Sequence, residues 1–174
     1  MNRYVDAITL REPDSLRELQ DMGVKNPAVY LSADPALILP AASPDVVDSA
    51  MLSHNIPLDG AYICFALRKW PGFEEKLPVI RAAAAYAYRT YGLTPLFLAV
   101  EKLKDPEFLS CAVEGLSVPY YLMTGSDDPA AITGVLARMR VVVSMRLHAL
   151  IFAAGQGVPL VGLVYDPKVS AFLK

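Results

Sequence analysis

The residues with the clearest chemical potential lie close together towards the carboxyl end of the chain. Ser144, Arg146 and His148 occupy alternate positions of the segment SMRLH, and Lys168 follows in the segment YDPK. An arginine presents a planar fork that binds a phosphate or carboxylate through two hydrogen bonds. A histidine accepts and donates protons near neutral pH. Together these residue types predict a site that binds a small anion and transfers a proton beside it.

The surrounding sequence alternates between strand-like and helix-like patterns. Short apolar runs predict five strands, at residues 61–67, 94–100, 119–123, 141–144 and 158–164. Helical patterns follow them at residues 74–91, 105–115, 129–139, 146–155 and from 168 onward. Short loops between alternating strands and helices indicate a parallel sheet with right-handed crossovers. We therefore predict an α/β fold, a Rossmann-like doubly wound parallel sheet with the strand order third, second, first, fourth, fifth.

This strand order determines where a ligand binds. In doubly wound sheets, ligands occupy the crevice at the carboxyl ends of the two strands where the winding changes direction. Here these are the first and fourth strands of the lobe, which are followed by Arg68-Lys69-Trp70 and by 145–148 respectively. The turn after the fifth strand brings Lys168 to the same edge. We predict that Arg68, Ser144, Arg146 and Lys168 bind substrate and that His148 is catalytic.

Each of these side chains has a simpler interpretation that the sequence leaves open. His148 could be a structural histidine, and Lys168 could be solvated in the first turn of a helix. Arg146 could form a surface ion pair, although no acidic residue follows it at the third or fourth position. Asp166 could serve only as a helix N-cap. Arg68 could belong to a solvated loop.

Other motifs narrow the chemistry. Trp70 could stack on a ligand ring or fill an interface between lobes. Gly155 and Gly157 come after a helix, so they predict a helix end and a tight turn rather than a phosphate-binding loop. The sequence has neither G-x-G-x-x-G nor a Walker motif. It also lacks clustered metal ligands, so we expect neither a protein-held metal nor a cofactor.

The first part of the chain follows a different pattern. A strand, a helix and a strand are predicted at 7–10, 13–22 and 28–31, before a Pro- and Ala-rich linker at 34–44. A unit this small cannot form a core alone, so we expect it to lean on the main domain or to have belonged to something larger.

Composition excludes several classes of protein. The chain is 54% hydrophobic and 20% charged, which is incompatible with disorder, and its net charge of −2 gives no reason to expect nucleic acid as a partner. Cys64 and Cys111 lie in apolar segments, which predicts buried, reduced thiols. No apolar run approaches the length of a membrane span, and no signal-peptide pattern opens the chain. We predict a cytoplasmic protein.

The block SMRLHALIFAAGQGVPLVGLVYDPKVSAFL resembles the C-terminal signature of polysaccharide pyruvyl transferases, especially the branch that modifies cell-wall polymers for surface-layer anchoring. Weaker matches lie upstream in the expected order: ITLREPDSLRELQDMGV, SADPALIL and CFALRKW. The resemblance implies one lobe of a GT-B-like, two-lobed transferase. Such enzymes transfer the enolpyruvyl unit of phosphoenolpyruvate to a sugar as a pyruvate ketal and release phosphate.

By the same resemblance, Arg146 and His148 match the family's RLH motif, Lys168 its DPK motif, and Arg68 the arginine after the first strand. His148 would be the general acid and base, Arg146 and Lys168 would hold the phosphate, and Arg68 the carboxylate or phosphate. The implied partners are phosphoenolpyruvate and a lipid-linked or polymeric saccharide; a homo-oligomer is left open.

Family members carry a whole N-terminal lobe ahead of this region and a further tail after it. The resemblance therefore implies that residues 1–45 are the remnant of an N-terminal lobe plus linker and that residues 46–174 form a C-terminal Rossmann-like lobe, truncated at its carboxyl end. We expect this chain alone to be inactive.

Two other functions remain open at this stage. The chain could be the donor-binding half of a nucleotide-sugar glycosyltransferase or epimerase, with Asp166 binding the ribose. It could also be a non-enzymatic binding module with an exposed apolar patch around Trp70 and residues 34–44. Binding of UDP-sugars rather than phosphoenolpyruvate would indicate the first, and dimerisation through the patch the second.

Overall fold

The computed structural model describes residues 5–25, 27–125 and 128–174. Its strands within these ranges are β1 (Ala7–Leu10), β2 (Ala28–Leu31), β3 (Tyr62–Ala66), β4 (Thr94–Leu98), β5 (Tyr121–Met123), β6 (Val141–Ser144) and β7 (Leu160–Gly162). Its α-helices there are α1 (Pro13–Asp21), α2 (Pro44–Leu52), α3 (Leu77–Tyr91), α4 (Asp105–Val113), α5 (Pro129–Ala137), α6 (Leu147–Gly155) and α7 (Pro167–Phe172). Short 3₁₀ helices cover Pro35–Ile38 and Glu74–Lys76.

Strands β3 to β7 form one parallel sheet in the order β5-β4-β3-β6-β7. The predicted doubly wound order is therefore confirmed. Phe65 on β3 pairs with Phe97 on β4 and with Val143 on β6, so β3 is the central strand. All five of its residues are buried, as expected for a continuous apolar run.

The side chains of β3 alternate between two apolar layers. Tyr62, Cys64 and Ala66 belong to the layer that also contains residues of α2, α5 and α6. Ile63 and Phe65 belong to the opposite layer, with residues of α3 and α4. Successive side chains of a strand point to opposite faces, so a strand that is apolar throughout requires helices on both sides. This packing leaves the carboxyl edge of the sheet to carry the polar loops.

The two cysteines occupy different environments. Cys64 is fully buried, and its burial raises the pKa of the thiol well above its ordinary value. Cys111 is exposed, so the prediction of a buried thiol is wrong at that position. Helix α4 buries Phe108, Leu109 and Ala112 against the sheet and turns Cys111 towards solvent.

The predicted strand–helix–strand unit at the start of the chain is confirmed. Strands β1 and β2 pair in parallel, with Ala7 opposite Ala28 and Leu10 opposite Leu31. Helix α1 connects them, in the arrangement of a small βαβ unit. The carboxyl end of β1 places Arg11 beside the larger sheet's polar loops, as described below.

Residues 34–44, predicted as a linker, contain a packed 3₁₀ helix. The carboxylate of Asp34 caps this helix by accepting a hydrogen bond from the Ala36 N–H at 2.9 Å. Gly155 of α6 lies against it so closely that a Cβ atom there would be 2.3 Å from the carbonyl oxygen of Leu37. Gly155 is the last residue of α6, as predicted. Its missing side chain also allows the 3₁₀ helix to approach α6 closely.

Helix α2 spans the domain boundary expected between residues 45 and 46. Its Val47 and Met51 are buried, and Val47 packs on α5 where Gly134 leaves room for it. That residues 1–45 derive from another lobe stays a prediction. Among the residues that the structure describes, no helix has the length and apolar character needed to cross a bilayer.

Candidate functional site

The loops after β3, β6 and β7 surround a cleft at the carboxyl edge of the sheet. Its volume is about 410 Å³, and its lining includes Arg68, Arg146, His148 and Lys168. These residues follow the ends of three strands: Arg68 follows β3, Arg146 and His148 follow β6, and Lys168 follows β7. The parallel topology brings them together because parallel strands end at one edge. We call this space the cationic cleft. It unites four of the five predicted site residues, whose individual roles stay predictions.

Ser144, the fifth, lies beneath the cleft and does not line it. It is 0% exposed, and its hydroxyl contacts the carbonyl oxygens of Ala66 at 3.1 Å and Arg146 at 3.0 Å. The same hydroxyl accepts a hydrogen bond from the Arg146 N–H at 2.8 Å. The structure corrects the predicted direct contact with substrate: Ser144 joins the ends of β3 and β6 and positions Arg146.

Arg146, at the N-cap of α6, forms the ion pair that the sequence did not reveal. Its Nε donates to Asp105 Oδ2 at 3.1 Å, and its Nη2 donates to Asp105 Oδ1. Nη2 also lies 3.2 Å from Glu101 Oε2. The partners lie in the loop after β4 and at the start of α4, so a search along α6 could not find them. The guanidinium has little freedom, with a side-chain exposure of 13%.

Asp105 is a fully buried carboxylate, and both of its oxygens accept hydrogen bonds. Its Oδ2 accepts hydrogen bonds from the Val100 N–H at 3.2 Å and the Glu101 N–H at 2.9 Å, in addition to that from Arg146. A buried charge is tolerated when it is paired and hydrogen-bonded in this way. Asp105 thereby fixes the loop after β4 and the fork of Arg146 in one arrangement.

Arg68 is held by aromatic rings rather than by carboxylates. Its Nη1 donates to the Tyr165 hydroxyl at 3.1 Å, and its Cζ lies 5.6 Å from the Trp70 ring centroid and 5.5 Å from that of Tyr165. The two rings meet edge to face, 4.6 Å apart. Arg68 Nε is buried without a hydrogen-bond partner in the described part of the protein. Trp70 therefore packs on Arg68 and Tyr165. Neither ring carries a negative charge, so neither neutralises the guanidinium of Arg68.

His148 is exposed in the first turn of α6 and faces two spaces. It lines the cationic cleft and also a larger apolar pocket of about 960 Å³. Its ring centroid lies 6.1 Å from that of Phe152, one turn further along the helix. The first N–H groups of a helix have no partner within it and carry partial positive charge. The nine-residue helix α6 therefore adds to the positive potential around His148.

Lys168 also lines the cleft, from the first turn of α7. Asp166 caps this helix by accepting a hydrogen bond from the Lys168 N–H at 2.8 Å, so the predicted N-cap is observed. The Lys168 side chain is exposed. Across residues 5–25, 27–125 and 128–174, no carboxylate forms an ion pair with its ammonium group.

Arg11 also lines the cleft, and sequence reasoning missed it. Arg11 directly follows β1. Polar residues at the ends of parallel strands often form sites, and the same reasoning applied to the N-terminal unit would have indicated Arg11. Its guanidinium binds Asp34 and Glu12, and the hydrogen bond with Asp34 raises the pKa of Arg11. Burial alone would raise the pKa of Asp34, but hydrogen bonds from Ala36 N–H and Arg11 outweigh it and lower that pKa.

The cations of the cleft therefore fall into two groups. Arg11 and Arg146 are neutralised by carboxylates and act as fixed hydrogen-bond donors. Arg68 and Lys168 have no carboxylate partner within the described ranges and supply uncompensated positive charge. This arrangement suits a small ligand with two anionic groups. No group of three or more His, Cys, Asp or Glu residues in the described ranges is placed to hold a metal ion.

Comparison with known families decides the identity of the chain. The family model for polysaccharide pyruvyl transferases matches residues 1–167. The chain belongs to the polysaccharide pyruvyl transferase family. Comparison with curated protein sequences gives no match. The match covers nearly the whole chain of this pyruvyl transferase family member; it includes the RLH segment and ends one residue before Lys168.

Solved structures confirm the GT-B-like fold class of this family member. The UDP-GlcNAc 2-epimerase from Neisseria meningitidis bound to UDP-GlcNAc has a TM-score of 0.60 and 12% identity, covering 95% of this chain and 46% of that chain. The glycosyl transferase family 9 protein from Veillonella parvula DSM 2008 has a TM-score of 0.56 and 18% identity, covering 69% of this chain and 35% of that chain. The chain spans less than half the length of either, and likeness at these identities shows the fold alone.

Proposed function

We propose that this chain carries the phosphoenolpyruvate site of a polysaccharide pyruvyl transferase. The enzyme would move the pyruvyl unit onto a cell-wall or exopolysaccharide sugar as a ketal and release phosphate. The observation that carries this proposal is the cationic cleft, which Arg68, Arg146, His148 and Lys168 line together at the ends of three strands. Phosphoenolpyruvate bears a phosphate and a carboxylate on a three-carbon frame, and two anionic groups so close together require several cations.

The proposed reaction balances without a metal or redox partner. Protonation of C3 of phosphoenolpyruvate makes a methyl group, and a sugar hydroxyl adds to C2 as it loses its proton. A second hydroxyl of the same sugar then forms the other C2–O bond, losing its proton, while the C2–O bond to phosphate breaks. The products are the cyclic pyruvate ketal and inorganic phosphate. A group that titrates near neutral pH is needed to accept the two hydroxyl protons and to deliver the proton to C3.

His148 lies where these protons are exchanged in the proposed reaction. It is exposed on the wall of the cleft, next to the first-turn N–H groups of α6. We assign it the role of general acid and base. Arg68 and Lys168 would bind the two anionic groups of the donor, since their charge is uncompensated. Arg146, oriented by Asp105, would add a preorganised fork to the phosphate.

The remaining parts of the proposal follow from this chemistry. The partners are phosphoenolpyruvate and a lipid-linked or polymeric saccharide, with no cofactor. A cytoplasmic location is proposed because phosphoenolpyruvate is a metabolite of the cytoplasm. The chain spans less than half of the structures it resembles, and the activity proposed is that of the whole enzyme.

Calorimetry with phosphoenolpyruvate, inorganic phosphate and a UDP-sugar tests the proposal. We expect phosphoenolpyruvate to bind more tightly than phosphate, because its carboxylate gains a second cation, and we expect the UDP-sugar to bind weakly or not at all. Double substitution of Arg68 and Lys168 by Gln should abolish phosphoenolpyruvate binding. Preferential binding of the UDP-sugar would instead support the nucleotide-sugar alternative and refute the donor assignment.

A further inference from the structure

The apolar pocket beside the cationic cleft is large and has no assigned ligand. Its volume of about 960 Å³ is at the upper end of the range for small-molecule sites. Four segments form its lining: the 3₁₀ helix at Ala36, the loop after β4 at Leu103, α5 at Ile132 and α6 at Phe152. Most of these side chains are apolar, in contrast to the neighbouring cleft.

The pocket and the cleft share a wall. Val100, Glu101 and His148 line both spaces. A ligand in the pocket and a ligand in the cleft would therefore both lie beside His148, the group proposed to transfer protons. For ketal formation two acceptor hydroxyls must reach C2 of the donor, so the acceptor must occupy a space that opens onto the cleft at that point.

A second cavity also borders the cleft but meets this requirement less well. It has a volume of about 210 Å³ and shares Arg11, Leu147 and Lys168 with the cleft, but His148 does not line it. It is also less than a quarter as large as the apolar pocket. Of these two neighbours of the cleft, the apolar pocket is the one that combines the shared histidine with room for a substituted sugar ring.

The character of the lining determines what kind of sugar would fit. A hydroxyl group buried against apolar side chains without a hydrogen-bond partner destabilises the complex, whereas an apolar substituent is stabilised there. The polar atoms that a reacting diol needs are at the shared wall, where the Glu101 carboxylate and the His148 ring can accept its protons. The other lining side chains of the pocket are apolar, except for that of Lys102.

We propose that the apolar pocket is the acceptor subsite, which takes a glycoside through an apolar substituent and presents its reacting diol at His148. This inference rests on the proposed function and adds to it the place and chemical class of the acceptor. The substituent lies among the side chains of the 3₁₀ helix, α5 and α6, and the diol points across the shared wall to C2 of the donor.

Binding of two matched probes to this chain tests the proposal. Phenyl β-D-glucopyranoside and methyl β-D-glucopyranoside present the same sugar hydroxyls but differ in the size of the apolar group. Burying a phenyl ring in the pocket should tighten binding about tenfold or more relative to the methyl glycoside. NMR titration gives both affinities, and the phenyl probe should shift the amide signals of residues such as Ala36 and Ile132. Equal affinities, or signal changes confined to other surfaces, would overturn the proposal.

Matched variants then locate the binding site. Ala36→Phe fills the pocket, whereas Ile38→Phe adds the same ring two residues away on a side chain that is 85% exposed and does not line the pocket. The first should weaken phenyl glycoside binding about tenfold, and the second should leave it unchanged. If Ala36→Phe fails to fold, Leu103→Asp places a charge on the rim at a position that is 93% exposed, and it should weaken binding in the same direction. Unchanged binding in the folded variants would refute the subsite.

Inorganic phosphate is the probe that separates this inference from the proposed function. Phosphate binding should be the same in Ala36→Phe and in the unmodified chain, because Ala36 does not line the cleft. Phosphate binding without discrimination between the glycosides would overturn the acceptor subsite and leave the donor site standing. Glycoside binding in the pocket without any phosphate or phosphoenolpyruvate binding would overturn the proposed function and the acceptor assignment with it.

Discussion

Asp105 is fully buried and binds the guanidinium of Arg146 through both carboxylate oxygens, across 41 residues of sequence. The same carboxylate accepts the N–H groups of Val100 and Glu101. One side chain thus connects the loop after β4 to the N-cap of α6. The fork of Arg146 is held in place before any ligand arrives, which reduces the entropic cost of binding.

Replacement of Asp105 by Asn should therefore destabilise the protein and weaken anion binding together. The Asn side chain has nearly the same shape, but it leaves Arg146 without its buried counter-charge. Breaking a buried ion pair from one side costs about 3 to 5 kcal/mol, which urea unfolding would measure as a reduced free energy of unfolding. Calorimetry should show weaker phosphate binding, since the guanidinium is no longer fixed.

Glu101→Gln is the matched control for this prediction. It removes the other carboxylate within reach of Arg146, 3.2 Å away, but this side chain is 37% exposed. Water replaces the lost contact, so stability should change little. If Asp105→Asn and Glu101→Gln lowered the free energy of unfolding by similar amounts, the burial of Asp105 would not explain its contribution to stability.

The fold was predictable because its strongest signals are local and agree with one another. The apolar run ending at Leu67 and those that follow it alternate with helical patterns over short loops, and parallel crossovers have one favoured hand. These constraints gave the strand order, and the order placed Arg68 and His148 at one edge. The convergence of the site is therefore a consequence of topology.

The pairing of Arg146 could not be predicted in the same way. Its partner Asp105 follows β4, which is separated from β6 by β3, and a rule based on neighbours within one helix does not reach that far. Asp105 was recognised only as the start of a helix. Ser144 was misjudged for a related reason: a small polar residue at a strand end can face the core, and sequence does not show which way it points.

Residues 34–44 show the limit of composition as a guide. Prolines and alanines are typical of a linker, yet a 3₁₀ helix forms there because Asp34 caps it and α6 provides a surface. That surface depends on the absence of a side chain at Gly155. A packing role of this kind cannot be predicted before the relative positions of the 3₁₀ helix and α6 are known.

Lys168→Ala should weaken phosphate binding without changing stability. The Lys168 ammonium has no carboxylate partner in the described ranges and is exposed, so its removal disturbs no folded-state contact. Loss of one charge-assisted hydrogen bond should reduce affinity about tenfold, as measured by calorimetry at low salt. Lys69→Ala removes the same charge at an exposed position outside the cleft and should have little effect. Equal losses would indicate a general charge effect.

His148→Ala should reduce turnover and spare donor binding. The sequence has two histidines, and His54 serves as the control because its Nδ1 contacts the Ala50 carbonyl oxygen, away from the cleft. In the whole enzyme, loss of the general acid and base should lower kcat about 10²- to 10⁴-fold, measured as phosphate release with phosphoenolpyruvate and acceptor. His54→Ala should retain normal turnover. Near-normal turnover in His148→Ala would remove His148 from the mechanism.

Gly155→Ala should destabilise the contact between α6 and the 3₁₀ helix. The added Cβ would lie 2.3 Å from the Leu37 carbonyl oxygen, and a backbone atom cannot move aside as a flexible side chain can. We expect a loss of about 1 to 3 kcal/mol in urea unfolding. The neighbouring substitution Gln156→Ala removes a partly exposed side chain at the end of the helix and should have a smaller effect. An unchanged free energy of unfolding in Gly155→Ala would contradict the close approach.

Asp34→Asn should remove a component of stability that depends on pH. Burial opposes ionisation of Asp34, but the Ala36 N–H and Arg11 outweigh it, so the pKa in the folded protein lies below that in the unfolded chain. As the pH falls, the unfolded chain takes up its proton first, and stability is lost below the ordinary Asp pKa of about 3.9. Above about pH 5 the unmodified protein should be more stable than the variant.

Asn retains a side-chain oxygen that caps the 3₁₀ helix, so the comparison isolates the charge. Thermal unfolding at pH 7 and at pH 3 measures the effect, and the difference in Tm between the two proteins should shrink at the lower pH. Asp45→Asn, which removes one exposed carboxylate at the start of α2, controls for the change in net charge. A difference in Tm that is the same at both pH values would mean that the charge of Asp34, and with it the ion pair with Arg11, contributes nothing to stability.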